Sequence, residues 1–548
     1  MKKNHYSFVF LLIGLLTGCM SWQPANAQST LTLDSTTLQI SVIANGLSVP
    51  WEIIWGPDNW IWMTERAGTI SRLNPETGEK IEIYEIPDCY EQQESGLLGM
   101  ALHPDFPDTP YLYVAYTYLQ SSNIIERLTR YTYNGTTLVS PLILLDNIPG
   151  NSTHDGCRLL ISPDYKLFMT TGDAQDQSAP QNLSAINGKL LRMNLDGSVP
   201  ADNPIAGSRV WSWGHRNAQG LVIGDNGIMY SSEHGPTNDD EFNIIYGNRN
   251  YGWPTVQGFC NTPTETTFCT NNNVVEPLAA WTPTLAVAGI DYYNHPAIPE
   301  WQNSVLMAVM KSQRLMRLRL SPDGTQLLDQ TNYLQNEFGR IRDLCISPTG
   351  DVYISTTNRD AYGSGAPDRI IRLSNPDFII QPQASFAYTD SCLTVTFNNQ
   401  SSQADSYLWN FGGGYTSSAQ NPVFTYLQAG TYSVELIATN SYTSDTTTIE
   451  ITLQSCSPIG IAESTSLSEN DIKTYPNPAS VTLNVDLPPT LAGAYLEISN
   501  LKGQIVYGNK LNPQDYTLKI PLNGMAAGIY FLTIQKDNNK IRKKIAVE

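Results

Sequence analysis

Short apolar runs alternate with turn residues along most of the chain, and the alternation repeats. From about residue 50 to 375 an apolar strand leads into a Pro/Asp/Asn/Gly turn, then a strand holding Tyr or Trp, then a strand ending in Arg-Leu. The phrase appears as WGPDNWIWMTERAGTISRLN, as LHPDFPDTPYLYVAYTY with RLTRYTYNG, and as ISPDYKLFMTTGDA with GKLLRMNLDG. It returns as LVIGDNGIMYSSEHG with DEFNIIYG, as SVLMAVMKSQRLMRLRLSPDG, and as LCISPTGDVYISTTNRD with DRIIRLS. Six copies, each of about 40–60 residues, predict a β-propeller with one four-stranded sheet per copy. One such sheet cannot bury both faces alone, so the sheets stack around a central channel. Long loops on one face of that channel are the natural place for a site.

The pattern changes after Pro376. Residues 382–456 read as short alternating strands (YLWNFGGG, NPVFTY, AGTYSVELIATN) and resemble a PKD domain, an immunoglobulin-like sandwich. Gly413 stands where that family's Trp-x-Phe-Gly-Asp-Gly motif has aspartate. A Ser/Glu-rich linker occupies 457–471. The segment 472–548 then runs through YPNPA, LEISNLKGQIVY, IPLNGMAAGIYFLTIQ and KIRKKIAVE. It resembles the type A C-terminal sorting domain of the type IX secretion system, which implies that secretion machinery as a partner. The expected class is therefore all-β: a six-bladed propeller over 38–376, a PKD-like sandwich and a small β-sandwich sorting domain.

Composition adds a compartment. Lys2 and Lys3 precede an apolar run from Phe8 to Leu16, the layout of an export signal and too short for a comfortable membrane span. Ala25-Asn26-Ala27 is an ordinary cleavage site, making 1–27 a signal peptide; Leu16-Thr17-Gly18-Cys19 offers a competing lipoprotein box. No other segment is apolar enough to span a bilayer. With 51 acidic against 32 basic residues the net charge is −19, which argues against nucleic acid or anionic membrane as a partner. Export permits disulfides. Cys260 with Cys269 reads as a local bridge across a Thr-rich loop, Cys392 with Cys456 as a staple of the second module, Cys89 with Cys157 as a third pair, and Cys345 as a buried free thiol; sequence alone does not fix the pairing.

Candidate chemistry concentrates between Gly214 and Pro254, which reads GHRNAQGL, SSEHGPTNDDEFNII and NYGWP. Carboxylates among turn residues suit a hard cation such as Ca²⁺, and a fixed arginine beside it suits an organic anion. Three further phrases accompany it: ESGLLGMALHPDF from Glu94, THDGCRLL from Thr153, and MKSQRLMRLRL with FGRIRDLCISPTG. In order and spacing the four resemble the quinoprotein glucose and aldose sugar dehydrogenases, which use pyrroloquinoline quinone (PQQ) and calcium. The resemblance implies oxidation of an aldose at C1 to a lactone, with hydride passing to Ca²⁺-bound PQQ, and a further electron acceptor that the sequence does not name.

The resemblance assigns roles residue by residue. His154 matches the base, and imidazole as a group accepts protons near neutral pH. Arg216 belongs to the catalytic constellation as well as to the cofactor set of Arg216, Asn217, Lys311, Arg340 and Arg342, whose guanidiniums suit PQQ carboxylates. Gly235 and Pro236 match backbone ligands of the cofactor's calcium, while Glu241 and the Tyr251 carbonyl match part of a second calcium site. Asn261 replaces a usual carboxylate there, leaving that site's occupancy open, and Asp240 competes as a turn cap. Glu94 stands where the glucose enzymes have a sugar-contacting glutamine, and Thr153 where they have aspartate, so the sugar is not fixed. His103, His215 and His234 read as structural or pocket-lining. The rival reading is a non-catalytic propeller that binds glycan or protein and keeps calcium for stability. A calcium-dependent lactonase would place acidic ligands in the channel, against Lys311, Arg340 and Arg342.

Overall fold

A computed structural model describes residues 29–454, 469–512, 517–537 and 539–548. The export signal, Cys19, Cys456 and most of the 457–471 linker lie outside the described residues. The described chain divides into two compact units, one essentially up to Gln383 and one carrying most of the remainder.

The first unit is the expected propeller. Six sheets begin at Pro50–Trp55, Leu97–Leu102, Gly156–Ile161, Ala218–Ile223, Val287–Tyr293 and Ile341–Ile346, and we number the blades in that order. These innermost strands neighbour one another in sequence, and the last returns to the first, closing a ring. They are apolar because blades pack on both sides of them: Leu97–Leu102 reads LLGMAL and is buried almost throughout. Ring closure borrows the N-terminal chain, since Thr37–Leu47 pairs antiparallel with Asp368–Ser374 as the outer strand of blade 6. Ser29–Thr32 adds a further strand outside it.

One irregularity recurs in all six blades. The register between first and second strands slips at Pro50/Glu52, Leu97/Met100, Gly156/Leu159, Ala218/Gly220, Val287/Ile290 and Ile341/Asp343. A β-bulge turns an extra residue out of the ladder and re-aims its side chain. The residues released this way include Trp51, Leu98, Arg158, Gln219 and Arg342, which all gather at the centre of the ring.

The second unit holds two sandwiches. One pairs the sheet of Phe386–Ser391, Thr394–Asn399 and Val423–Thr425 with that of Ser406–Asn410, Thr416–Ser417, Gly430–Thr439 and Ser444–Leu453 around buried Trp409, Phe397 and Phe411. The other is built from Lys473–Tyr475, Thr482–Asp486 and Thr517–Pro521 against Tyr495–Asn500, Ile505–Lys510, Gly528–Lys536 and Asn539–Val547.

The cysteines follow expectation in part. Cys260 and Cys269 form the local bridge, Cys345 is a buried free thiol, and Cys392 is disulfide-bonded. Cys89 and Cys157 are not paired, which corrects the third expected bridge. Cys89 lies beyond the outer strand of blade 1 with its Sγ on the Arg66 carbonyl at 3.8 Å, whereas Cys157 opens the inner strand of blade 3 and donates to Glu126 at 3.6 Å. The Thr-rich loop between Cys260 and Cys269 is largely a helix, Pro263–Asn272. It buries no residue, so it has no apolar periodicity, and its start is set by a capping box between Thr262 and Glu265 with proline in the first turn.

Candidate active site

Trp51, Leu98, Gln219 and Arg342 among the bulged residues line a cavity that takes side chains from all six blades, with Glu94, Asp155 and Met310 beside them. His154 sits at its edge with a left-handed backbone, φ 65°. Its carbonyl presses so close to Gly172 that a Cβ there would come within 1.6 Å of it, so only glycine fits beneath this histidine. The His154 N–H donates to Glu94 Oε2 at 3.2 Å. Nδ1 lies 2.8 Å from Asp173 Oδ1, and Asp173 Oδ2 accepts the Trp253 indole N–H at 2.9 Å. A carboxylate only accepts, so Nδ1 carries the hydrogen and Nε2 the lone pair. That lone pair faces Arg216 Nη2 at 3.0 Å.

Arg340 and Arg342 line this cavity, and Arg216 lines the smaller one described below. Arg216 also donates through Nη1 to the His234 carbonyl at 3.1 Å, its backbone N–H donates to Glu233, and its guanidinium lies 5.3 Å from the Trp253 ring centre. Arg342 is 5% exposed, reaches Gln219 Oε1 at 2.6 Å, and spends a second donor on the Met310 thioether at 3.4 Å. Burial pulls its pKa down to about 9. Arg340 holds Asp360 at 3.1 Å and also touches the Met310 sulfur. The Asn217 side-chain oxygen accepts from Gly156 N at 3.1 Å and from Gln219 Nε2 at 2.9 Å. Asn217 Nδ2, Arg216 Nε and Arg342 Nε are buried without a partner. Unfilled buried donors and guanidiniums resting on a thioether are costly unless an acceptor arrives, so the set fits an anionic, oxygen-rich guest. Lys311 is exposed and donates to Thr284 Oγ1 at 3.1 Å.

A smaller cavity of about 260 Å³ adjoins Arg216 and includes Gly235, Pro236, Glu241 and Tyr251. The turn is tight: a Cβ on Gly235 would come 2.0 Å from the Asn238 carbonyl. Asp240 is indeed a cap, its carboxylate taking the N–H groups of Gly235, Leu285 and Ala286. Burial raises Glu241 to about 8, with Glu233 adding to the effect. Among the described residues no three His, Cys, Asp or Glu side chains converge as a metal site. Backbone carbonyls beside a carboxylate are a hard-oxygen donor set, the kind suited to calcium. Tyr251 stacks on His215 with ring centres 4.5 Å apart, and Asn261 does not line this cavity.

Residues 47–364 match the glucose/sorbosone dehydrogenase family. The chain belongs to that family. Residues 380–453 match the PKD domain and 473–548 the secretion system C-terminal sorting domain. The quinoprotein glucose dehydrogenase B of Acinetobacter calcoaceticus is 33% identical over 429 residues, spanning 62% of this chain and 90% of that protein. Aldose sugar dehydrogenase YliI of Escherichia coli (strain K12) is 27% identical over 363 residues, 63% of this chain and 95% of that protein. The solved PQQ-bound aldose sugar dehydrogenase of Streptomyces coelicolor aligns with a TM-score of 0.54 and 32% identity, covering 62% of this chain and 99% of that one.

The propeller of this chain is thus a sugar dehydrogenase, and its site contains residues that the sequence did not single out. Asp173 and Trp253 orient His154, yet Asp173 reads in TTGDA as the end of a strand, and Trp253 in NYGWP as part of a turn. Gln219 and Trp51 reach the cavity only because of the bulges. Their sequence neighbours are strand residues, and alternation alone carries no sign of the extra residue.

Proposed function

We propose that this protein is an exported quinoprotein that oxidises an aldose at C1 to its lactone, with PQQ and calcium at the centre of the propeller. The observation that carries this is an oriented His154, its Nε2 3.0 Å from the under-bonded Arg216, beside a cavity lined by the equally under-bonded Arg342. Bound PQQ, polarised by calcium, supplies the hydride acceptor. The chain supplies the rest. Arg216, Asn217, Arg340 and Arg342 hold the anion, and Arg342 and Asn217 gain partners for donors that otherwise have none. Gly235 and Pro236 offer carbonyls to the cation. Asp173 fixes His154 with its Nε2 lone pair outward, so that this atom takes the C1 hydroxyl proton once the sugar hydroxyl replaces the Arg216 N–H there. Glu94, bonded to the His154 backbone, stands where it can meet the sugar, with Thr153 next to His154 on the neighbouring loop. Trp51 and Met310 help exclude water. The sorting domain supports delivery by type IX secretion, in keeping with a sugar met outside the cell.

The test is an absorbance titration of the full protein with PQQ in the presence of Ca²⁺, followed by aldose assays with an artificial electron acceptor. Binding at micromolar PQQ and turnover of an aldose are expected. No PQQ binding in that range would overturn the reading. His154→Ala is expected to bind PQQ normally and to lose turnover.

A further inference from the structure

Behind the loop that carries His154 lies an acidic cluster that plays no part in the reading above. Glu126, in the third strand of blade 2, and Cys157 are fully buried; Asp155 is 2% exposed and forms part of the cavity wall. The Cys157 thiol donates to Glu126 Oε2 at 3.6 Å. The Glu126 and Asp155 side chains lie side by side against Gly150. Glu126 Oε1 and Asp155 Oδ2 are both buried without a hydrogen-bond partner. Carboxylate oxygens have no hydrogen to give, so two such neighbours satisfy each other only with a proton between them.

Among the described residues no cation pairs with Glu126 or Asp155. The groups that bear on it are Glu94, acting on Asp155, and the Cys157 thiol, all acidic. Burial raises Glu126 well above the carboxylate range and brings Asp155 up to about 7. Two like charges in such a place cannot both persist, and the pair titrates as a unit.

The pair is also wired to the base. Asp155 Oδ1 accepts the Asn151 N–H at 2.8 Å, the Asn151 side chain donates to the Ala174 carbonyl at 3.0 Å, and the Ala174 N–H donates back to the His154 carbonyl at 3.1 Å. Ala174 directly follows Asp173, which orients the imidazole. Gly150 leaves no slack in this turn: a Cβ there would sit 3.2 Å from Glu126 Cγ and 3.3 Å from Asp155 Oδ1.

We propose that Glu126 and Asp155 share one proton and act as a positioning pair, locking the Asn151–Asp155 turn and the Asp173 loop into the register that presents His154. The proposal rests on the reading of His154 as the base. When the shared proton leaves at alkaline pH the two carboxylates repel, the turn moves, and turnover falls. Glu126→Gln replaces the shared proton by an amide N–H that does not titrate.

Infrared spectroscopy of the full protein tests the proton directly. In the wild-type-minus-Glu126→Gln difference spectrum a protonated-carboxyl C=O band is expected at neutral pH that fades on alkaline titration; taking the difference removes the band of Glu241, which burial also raises. The pH profile of kcat at saturating PQQ tests the consequence. Glu126→Gln should stay within about 3-fold of wild type at neutral pH, with its alkaline limb moved up by about one pH unit or more. If Glu126→Gln fails to bind PQQ and so has not folded, Asp155→Asn, which supplies the amide from the other side, should show the same shift. Absence of that difference band, or variant and wild-type profiles that superimpose, overturns the proposal. His154→Ala run in parallel separates the two readings. An active His154→Ala refutes the base assignment and leaves the infrared result to decide the pair. An inactive His154→Ala beside an unchanged Glu126→Gln profile refutes the pair alone.

Discussion

Asp173 Oδ1 lies 2.8 Å from His154 Nδ1, and its other oxygen is held by the Trp253 indole at 2.9 Å. Because the carboxylate is fixed from behind, it dictates the imidazole's tautomer as well as its orientation. Asp173→Asn replaces an obligate acceptor with a group that can donate to Nδ1, which favours the tautomer whose Nε2 carries the hydrogen. A general base in the wrong tautomer loses about 10²–10⁴-fold in rate. The expected result is a fall in kcat of about 100-fold or more, with PQQ affinity close to wild type in an absorbance titration. Wild-type turnover in Asp173→Asn would remove this carboxylate from the mechanism.

Arg342 offers the clearest test of the quinone pocket. It is buried, rests one N–H on the Met310 thioether, and leaves Nε without a partner. Arg342→Lys keeps a positive charge but loses the planar fork that matches a carboxylate. A hydrogen bond to a charged group contributes about 1.5–3 kcal/mol, so PQQ affinity should fall by about 10- to 100-fold. Unchanged affinity would mean that the cofactor's anionic groups lie elsewhere.

The repeat was legible because every blade renews the same phrase, and the blades need it to bury their faces against each other. The His154 loop, Arg216, Arg340 and Arg342 were legible because they sit in long, ordered phrases. What escaped was whatever depends on register. Trp51 and Gln219 enter the cavity through bulges, Asp173 joins His154 across a close backbone approach at Gly172, and Glu126 meets Asp155 from a different blade. None of these contacts joins residues near in sequence to a visible motif. Lys311 sits in an equally distinctive phrase, and its ammonium donates to Thr284.

The ring has an acid-sensitive latch. Glu300 Oε1 accepts the N–H of Ser35 at 2.8 Å, its hydroxyl at 2.7 Å and the N–H of Thr36 at 2.9 Å, clasping the strand that closes blade 6. Burial pushes this carboxyl upward, but those bonds outweigh it and hold the pKa down to about 2 from an ordinary 4.5. A carboxyl lowered on folding stabilises the protein above its unfolded pKa, and that contribution is lost as pH falls through the folded value. Wild-type stability should therefore drop between about pH 4.5 and 2, and Glu300→Gln should lack that part of the slope. Chemical denaturation across this range measures it; parallel curves would dismiss the latch.

The sorting domain predicts a location. A chain ending at Asn470 lacks the whole 473–548 match but keeps the propeller and the PKD domain. In the native host it should accumulate in the periplasm, while the full chain reaches the surface or medium. Fractionation with activity staining separates the two, and undiminished export of the truncated chain would reject the secretion reading.

Arg158 ties the blades together at the centre of the ring. Its guanidinium contacts Glu52 from blade 1 and Asp343 from blade 6 at 3.2 Å, its Nε donates to the Gln219 carbonyl of blade 4 at 2.8 Å, and it lies 4.4 Å from the Trp51 ring centre. All three charged residues are buried. Such a cluster contributes less than its contacts suggest, because desolvation offsets the attraction, but removing one member leaves charge stranded. Arg158→Met should thus cost about 3–5 kcal/mol. Adding Glu52→Gln and Asp343→Asn removes both orphaned carboxylates and should recover part of that loss, even though two more polar contacts are altered. Calorimetry on the single and triple variants decides between charge and packing. If the triple variant melts below Arg158→Met, the guanidinium acts through its packing on Trp51 and not through the ions it joins.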